Sequence, residues 1–549
     1  MVSGKVSGNI VDIIGGRVFP GLLEISDGRI VRVVETDDCE YGVYIVPGFV
    51  DSHLHVESSM LTPSELGRVA VVHGTVAVVS DPHEIGNVLG VGGVKYMIED
   101  GSRSPLKFYF GAPSCVPATF FETSGAVIGV REVEELLKMD EIRYLGEVMN
   151  FPGVVGDDPE VIEKIEIARR LSKPIDGHAP MLQGEELRKY AGFGISTDHE
   201  CTTESEALEK IAAGMMIQIR EGSAARNFND LLSLLNEHHE RCMFCSDDKH
   251  PDDLLKGHIR DLVKRGVDHG IDVMKLLQVA SLNPVLHYGL DVGILRPGDP
   301  ADFLVVDNLD DLNVLKTYID GDLVAEGGNT LIPMRESRIV NNFKVREKRV
   351  EEFALPYRGE GGAMRMNVIE AIDNQIITGK ITATPKVVDG YVVSDTERDI
   401  LKIVALNRYE DRRPAIGFVR NFNLKEGAIA SSVAHDSHNI IAVGVTDEEI
   451  CRAVNLVIRE KGGISAVSRE IEAVLPLPVG GIMSNEDYRT VAEKYTRIDR
   501  IARELGSTLN APFMTLSFMS LLVIPRLKLS DRGLFDVESF EFIDLFEEG

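Results

Sequence analysis

Residues 47–60 read PGFVDSHLHVESSM. An apolar run ends in two histidines, His53 and His55, spaced two apart. On a strand that spacing points both rings to the same side. In a parallel barrel that side is the interior, and the strand's end is the mouth where active sites sit. Paired imidazoles at such a mouth suit a divalent metal. H-x-H by itself is also common on a solvated hairpin, so the fold has to be read from what surrounds it.

The surroundings repeat one pattern. Thr62-Pro63-Ser64-Glu65 reads as a capping box with proline first, opening a helix that stops at Gly74. TVAVVS (75–80) then reads as a buried parallel-type strand. Further strand candidates are KFYFGA (107–112), YLGEV (144–148), PIDGH (174–178), GISTDH (194–199), MMIQIR (215–220) and CMFCSD (242–247). With YIVPGFVDSHLH (44–55) they make eight strands alternating with helices, which predicts a (β/α)8 catalytic barrel over 47–286. An open doubly wound sheet is the competing arrangement, but no G-x-G-x-x-G follows the first strand.

Either flank of the barrel alternates apolar and polar positions. Turn signals stand at Gly15-Gly16, Pro20-Gly21 and Asp27-Gly28, and a similar texture returns after 290. This predicts a small composite β-domain from 1–46 plus 287–340. Residues 341–549 read as a C-terminal α/β domain. It opens with the charged run NNFKVREKRVEEFA (341–354), read as a linker or edge segment. One helix is expected from Thr446, with Glu449 completing a capping box, to Gly462-Gly463, and another from about Ser484 to Gly506.

The 549 residues are 44% hydrophobic and 26% charged, the balance of a globular chain with ample core. A formal charge of −29 speaks against a nucleic-acid partner, since phosphate backbones are held by basic surfaces. Six scattered cysteines (39, 115, 201, 242, 245, 451) form no disulfide framework and point to a reducing, cytoplasmic setting. The N-terminus has no long apolar core of the kind a signal peptide needs. The longest uncharged apolar stretch, Ala511–Pro525, is 15 residues and contains Pro512, too short for a membrane span. No membrane partner is expected, and homo-oligomerisation is the prior for a large barrel.

Ionisable residues end other strands too: Asp81-Pro82-His83-Glu84, Glu147, His178, His199-Glu200, Arg220-Glu221 and Asp247-Asp248. Buried strand ends ordinarily prefer apolar residues, so packing does not account for the series. His53, His55, His178 and His199 are nitrogen donors for a metal, and Glu147 and Asp247 oxygen donors, with Glu147 placed to bridge two ions. Such a set without thiolate suits Zn, Mn or Fe. A bound divalent ion lowers the pKa of its water toward 7, which makes hydrolytic attack on an electrophilic carbon the expected reaction class. The motifs alone leave one ion or two open, and also whether Asp247 or its neighbour Asp248 is the ligand.

HLHVESSMLTP, HGTVAVVSDPHEIGNV, the GHAP at 177–180, the STDHE at 196–200 and MFCSDDKHPDDL (243–254) resemble, in order, the motifs of the amidohydrolase superfamily and within it of the adenine deaminases. DPHEIGNV together with HVESSM is the specific part. The resemblance covers nearly the whole chain. It implies hydrolysis of free adenine at C6 to hypoxanthine and ammonia, and hence a place in purine salvage with a small purine as substrate. It also implies a binuclear metal centre, usually manganese or iron, and a barrel beside a composite β-domain. Where many relatives carry a carboxylated lysine on the fourth strand, this chain has Glu147. Other readings are an amidohydrolase acting on another cyclic amidine or amide, and a non-catalytic barrel scaffold.

Glu84, Asp247 and His199 are the candidate catalytic groups, with Glu84 as proton carrier to ring N1 and Asp247 as proton acceptor. The blander reading of Glu84 is a loop carboxylate paired with a lysine. His83, Arg220, Asp248, His435 and His438 are the candidate substrate contacts. Arg220 could equally pair with a ligand carboxylate. AHDSHN (434–439), with His435 and His438, is either a hydrogen-bonded turn or a loop reaching the barrel mouth. His73, His258 and the remaining histidines are read as helix-surface or structural, with His250 as a candidate for supporting the ligands from behind.

Overall fold

The computed structural model describes residues 4–36, 42–357 and 364–548. Cys39 lies outside the described residues. The central strands are β1 (Phe49–Leu54), β2 (Thr75–Ser80), β3 (Lys107–Ala112), β4 (Ile142–Val148), β5 (Ile175–Gly177), β6 (Thr197–Asp198), β7 (Met216–Arg220) and β8 (Cys242–Cys245). Strands β1–β5 form one parallel sheet and β6–β8 another. Ser196 N–H donates to Ile175 O at 2.9 Å, linking β5 to the β6 side. Asp247 N–H donates to His53 O at 3.0 Å and His55 N–H to Asp247 O at 3.4 Å, which brings the end of β8 back to β1. In an open sheet those two strands would be opposite edges. The ring is therefore a barrel, and helices cover it: every residue of β2 is buried, as a parallel strand shielded on both faces requires.

Gly74 ends the first helical unit at φ 82, the left-handed conformation expected of a C-terminal glycine. The start differs from expectation. Thr62 makes no side-chain cap to the helix at Pro63–Ala70. Glu65 instead binds Arg68 at 2.6 Å and accepts from Tyr488 N–H at 3.0 Å, because the C-terminal domain packs there.

The run 44–55 is two strands rather than one. Tyr44–Pro47 belongs to the flanking sheet and β1 to the barrel, with Gly48 as the hand-over. A Cβ on Gly48 would lie 2.4 Å from both methyls of Val76, so only glycine lets the chain pass there. The flanking sheet has eight strands drawn from both sides of the barrel. Tyr44–Pro47 pairs parallel with Gly4–Asp12 and antiparallel with Phe303–Val306, over a core that includes Ile10, Leu23, Ile45 and Phe303. Asp27 and Gly28 take positive φ (52 and 77), as a tight hairpin demands. Pro20-Gly21 is not a turn: both lie inside the strand Arg17–Ser26, where a Cβ on Gly21 would meet Ile10 at 2.7 Å.

Residues 341–354 form neither a strand nor a free linker. They strap onto the C-terminal sheet, with Lys344 and Val345 N–H both donating to Arg408 O and Phe353 buried. That sheet is mostly antiparallel and carries the helix Asp447–Arg459, capped by Thr446, whose hydroxyl accepts from Glu449 N–H at 3.2 Å. The next helix is Tyr488–Glu504, beginning later than the expected start near Ser484, with Asp487 as its cap. Ser484 N–H is engaged elsewhere, donating to Met60 O at 2.8 Å and so fixing this domain to the barrel rim. No helix among the described residues is long and apolar enough to cross a membrane.

Gly48→Ala should cost about 1–3 kcal/mol by overpacking against Val76. Adding Val76→Ala should return part of the loss. Urea unfolding midpoints of the two variants and the parent measure this, and an unchanged midpoint for Gly48→Ala contradicts the packing account.

Candidate active site

At the end of β1, alternation carries the rings of His53 and His55 into the barrel. Their Nε2 atoms lie 3.8 and 3.3 Å from the same oxygen, Asp247 Oδ1. Strand β8 stops at Cys245, and Asp247 takes φ 53. That left-handed break suspends strand alternation, so Asp247 and Asp248 both line the mouth. Their partners differ: Asp247 faces the imidazoles, whereas Asp248 accepts from the Ser58 hydroxyl.

Glu147, near the end of β4, is the centre of the cluster. Its Oε1 is 3.5 Å from His55 Nε2 and 3.5 Å from His83 Nδ1. Its Oε2 is 2.9 Å from His178 Nδ1, 3.2 Å from His199 Nε2 and 4.0 Å from His53 Nε2. One carboxylate thus stands between two sets of imidazoles brought together from four other strand ends. Burial alone would raise the Glu147 pKa, but the His178 and His199 rings outweigh it and hold the group well below the usual carboxylate range. For His199 burial works the other way, and Glu147 overrides it, raising the ring to about 9. Burial, with His199 alongside, keeps His53 neutral.

These residues fit a divalent ion. His53 Nε2 and His83 Nδ1 are buried, have no hydrogen-bond partner and face Glu147 at 4.0 and 3.5 Å. A buried polar atom without a partner is costly, and a cluster of them around carboxylates is a donor set for a cation. His53, His55 and Asp247 form one group with ligand atoms within 4.8 Å of one another, and His53, Glu147 and His199 another. His83, read from sequence as a substrate contact, belongs by position to this donor set as well.

Glu84 is on a helix (His83–Leu89), not a loop, and among the described residues no lysine pairs with it. Its two oxygens contact His435 Nδ1 and His438 Nε2, so the AHDSHN loop does reach the barrel mouth. Burial would raise the Glu84 pKa, yet the two imidazoles hold it well below the carboxylate range. Against its own burial, His435 is raised to about 9 by Glu84, while burial takes His438 down to about 4. The result is a carboxylate paired with one imidazolium and one neutral ring.

Arg220 pairs with Glu200 through both terminal nitrogens (2.5 and 2.8 Å) and with Asp247 Oδ2 at 2.7 Å. It therefore orients a candidate ligand. His258 is buried rather than on a helix surface, bonded to Asp51 at 2.8 Å and Thr75 at 2.6 Å. His250 sits outside the cluster, 2.5 Å from Tyr495 OH.

Two features escaped the sequence reading. Asp436, within the quoted loop, is buried 3.9 Å from His83, and burial pushes its pKa up to about 6. Over the cluster lies an apolar roof of Ile376, Phe518, Leu521 and Val523. Three of these four come from the apolar stretch weighed above as a membrane span.

The fold and donor set define a hydrolase of the amidohydrolase class, working with a divalent metal. The amidohydrolase family matches residues 44–324, and the adenine deaminase C-terminal domain matches 375–541. An adenine deaminase from Salinibacter ruber is 53% identical over 99% of both chains, and one from Methanosarcina mazei 52% identical over 99% of this chain and all of that one. The chain belongs to the adenine deaminase family. A solved β-aspartyl dipeptidase from Fervidobacterium islandicum aligns with 59% of this chain and 96% of its own at 15% identity and TM-score 0.46, too distant to bear on the chemistry.

The imidazolium at His199 gives the metal-free protein a pH dependence. Its folded pKa, about 9, lies above the ordinary 6.5, so the stability it contributes is complete below pH 6.5 and fades as pH rises through about 9. Protein stripped with EDTA should show a falling urea midpoint from pH 6.5 to 9.5, and divalent-ion uptake should release protons over that range. A flat midpoint contradicts the assignment.

Proposed function

We propose that this enzyme hydrolyses free adenine to hypoxanthine and ammonia at the cluster around Glu147, using a binuclear centre of manganese or iron, with zinc as the weaker fit. His53, His55, His178, His199, Glu147 and Asp247 would hold the ions, with His83 beside them. Divalent ions there supply a water acidic enough to be a nucleophile near neutral pH.

The remaining work belongs to the chain. Asp247, fixed by Arg220, is the acceptor for a proton from the attacking water, and His199 lies beside it as a further catalytic group. As the water oxygen adds to C6, ring N1 gains a proton from the Glu84–His435 pair. The exocyclic nitrogen then leaves as ammonia with the proton that Asp247 took from the water, and the proton of the new C6 hydroxyl returns to the Glu84–His435 pair as the carbonyl forms. Asp248, held by Ser58, and His435 would line the purine's position, with His438 behind them on Glu84. The apolar roof excludes bulk water, which strengthens every charge interaction beneath it.

The observation carrying this reading is the meeting of two parts. Barrel strands supply the donors, and the region matching the adenine deaminase C-terminal domain supplies His435 and His438 to Glu84. A cytoplasmic role in purine salvage is part of the proposal, supported by five described cysteines that are buried and unpaired.

Ammonia release from a panel of purines and pyrimidines, with protein loaded separately with Mn, Fe and Zn, tests the substrate and metal. Adenine should be the best substrate, and a preference for another cyclic amidine would overturn the reading. Glu84→Gln should lower kcat by roughly 10²–10⁴-fold with metal content retained. Unchanged turnover would remove Glu84 from the mechanism.

A further inference from the structure

The roof hangs on one residue that the proposed chemistry does not use. Lys528 lies on the strand Leu527–Ser530 and is fully buried. Its ammonium donates to Ile376 O at 2.8 Å and Phe518 O at 2.9 Å. Among the described residues no carboxylate lies within 4.0 Å of it, and burial takes its pKa down to about 7. A lysine without a counter-ion is an expensive core residue, so its place calls for a function. Charged or neutral, the nitrogen keeps at least two N–H donors, enough for both carbonyls.

Those carbonyls belong to Ile376 and Phe518, which come from segments some 140 residues apart and both face the donor cluster. Phe518 also stacks on His435, with ring centroids 5.1 Å apart. The space left beneath is about 30 Å³, room for about one water and not for a purine. On the outer side of Ile376 a cavity of about 500 Å³ also reaches Glu200, Arg220 and Ile524. A purine lying directly beneath Ile376 and Phe518 needs the roof to shift, and Lys528 ties both roof segments to one point.

We propose that Lys528 is a positioning residue for the purine, joining the Ile376 and Phe518 segments so that they close over the base as one unit. The proposal rests on the deaminase reading and adds a determinant of affinity to it. Replacing the lysine frees the two segments from each other, so the roof orders less readily on the base while the groups at C6 stay in place.

Lys528→Met keeps the stem and removes the donors. In the metal-loaded full chain it should raise KM for adenine by about tenfold or more. The inhibition constant for hypoxanthine should weaken in parallel, with kcat within about threefold of the parent and metal content unchanged. Lys528→Arg, which keeps donors, should restore part of the affinity. A folded Lys528→Met with parental KM and hypoxanthine inhibition, or one that loses only kcat, overturns the assignment. If Lys528→Met does not fold, hydrogen exchange of the parent decides: hypoxanthine should protect 374–378 and 516–522 together, and protection of one segment alone, or of neither, overturns it. A parent that releases no ammonia from adenine ends the deaminase reading and this assignment with it. A working parent with an unaffected variant ends the assignment alone.

Discussion

Glu147 is a buried carboxylate held among buried imidazoles, and the rest of the architecture serves that arrangement. Uncompensated charges and orphaned nitrogens at the centre of a protein cost several kcal/mol each, so such a cluster persists only where each group finds a partner or a cation. The first layer of partners is mutual. The second is built from carboxylates set behind the donors. Asp81 accepts from Glu147 N–H at 2.9 Å, Asp51 accepts from Ser246 N–H at 3.1 Å and from His258, and Asp176 accepts from Tyr288 OH at 2.9 Å. The three carboxylates arise from barrel strands or, for Asp81, from the residue after one, so the barrel's closure and its polar mouth are one problem with one solution.

The C-terminal domain completes what the barrel cannot. Barrel loops supply mostly polar walls, and the C-terminal domain brings His435 and His438 to Glu84 and the apolar side chains of Ile376, Phe518, Leu521 and Val523 over the cluster. The contacts that seat this domain are specific: Arg68 with Asp487 at 2.7 Å, Glu65 with the Tyr488 amide, and His250 with Tyr495. Losing that seating would expose the cluster to water and remove two of the three groups at the proposed proton-transfer site.

Much of this was legible in the sequence because its signals are local. Apolar runs ending in His, Asp or Glu mark the barrel strands, and the quoted motifs hold nearly every residue that converges on Glu147. What escaped is non-local. YIVPGFVDSHLH looks like one strand because a hand-over between two sheets leaves no mark except Gly48. Pro20-Gly21 looks like a turn because a glycine needed for close strand packing reads the same as one needed for a bend. The last long helix begins after the expected start near Ser484 because Asp487 caps it, accepting from Arg489 N–H at 2.9 Å. The roof was hidden for a further reason: Phe518, Leu521 and Val523 are apolar whether they fill a core or face a ligand. Lys528 carried no sequence signal at all.

The central claim is that Glu147 joins two metal-binding sets. Metal analysis of the full-length protein after manganese-replete expression, with Glu147→Gln beside it, tests this most directly. The account predicts about two ions per parent chain and the loss of at least one in a folded Glu147→Gln variant. A folded parent with no stoichiometric ion, or a Glu147→Gln variant holding the parent's full complement, would contradict it.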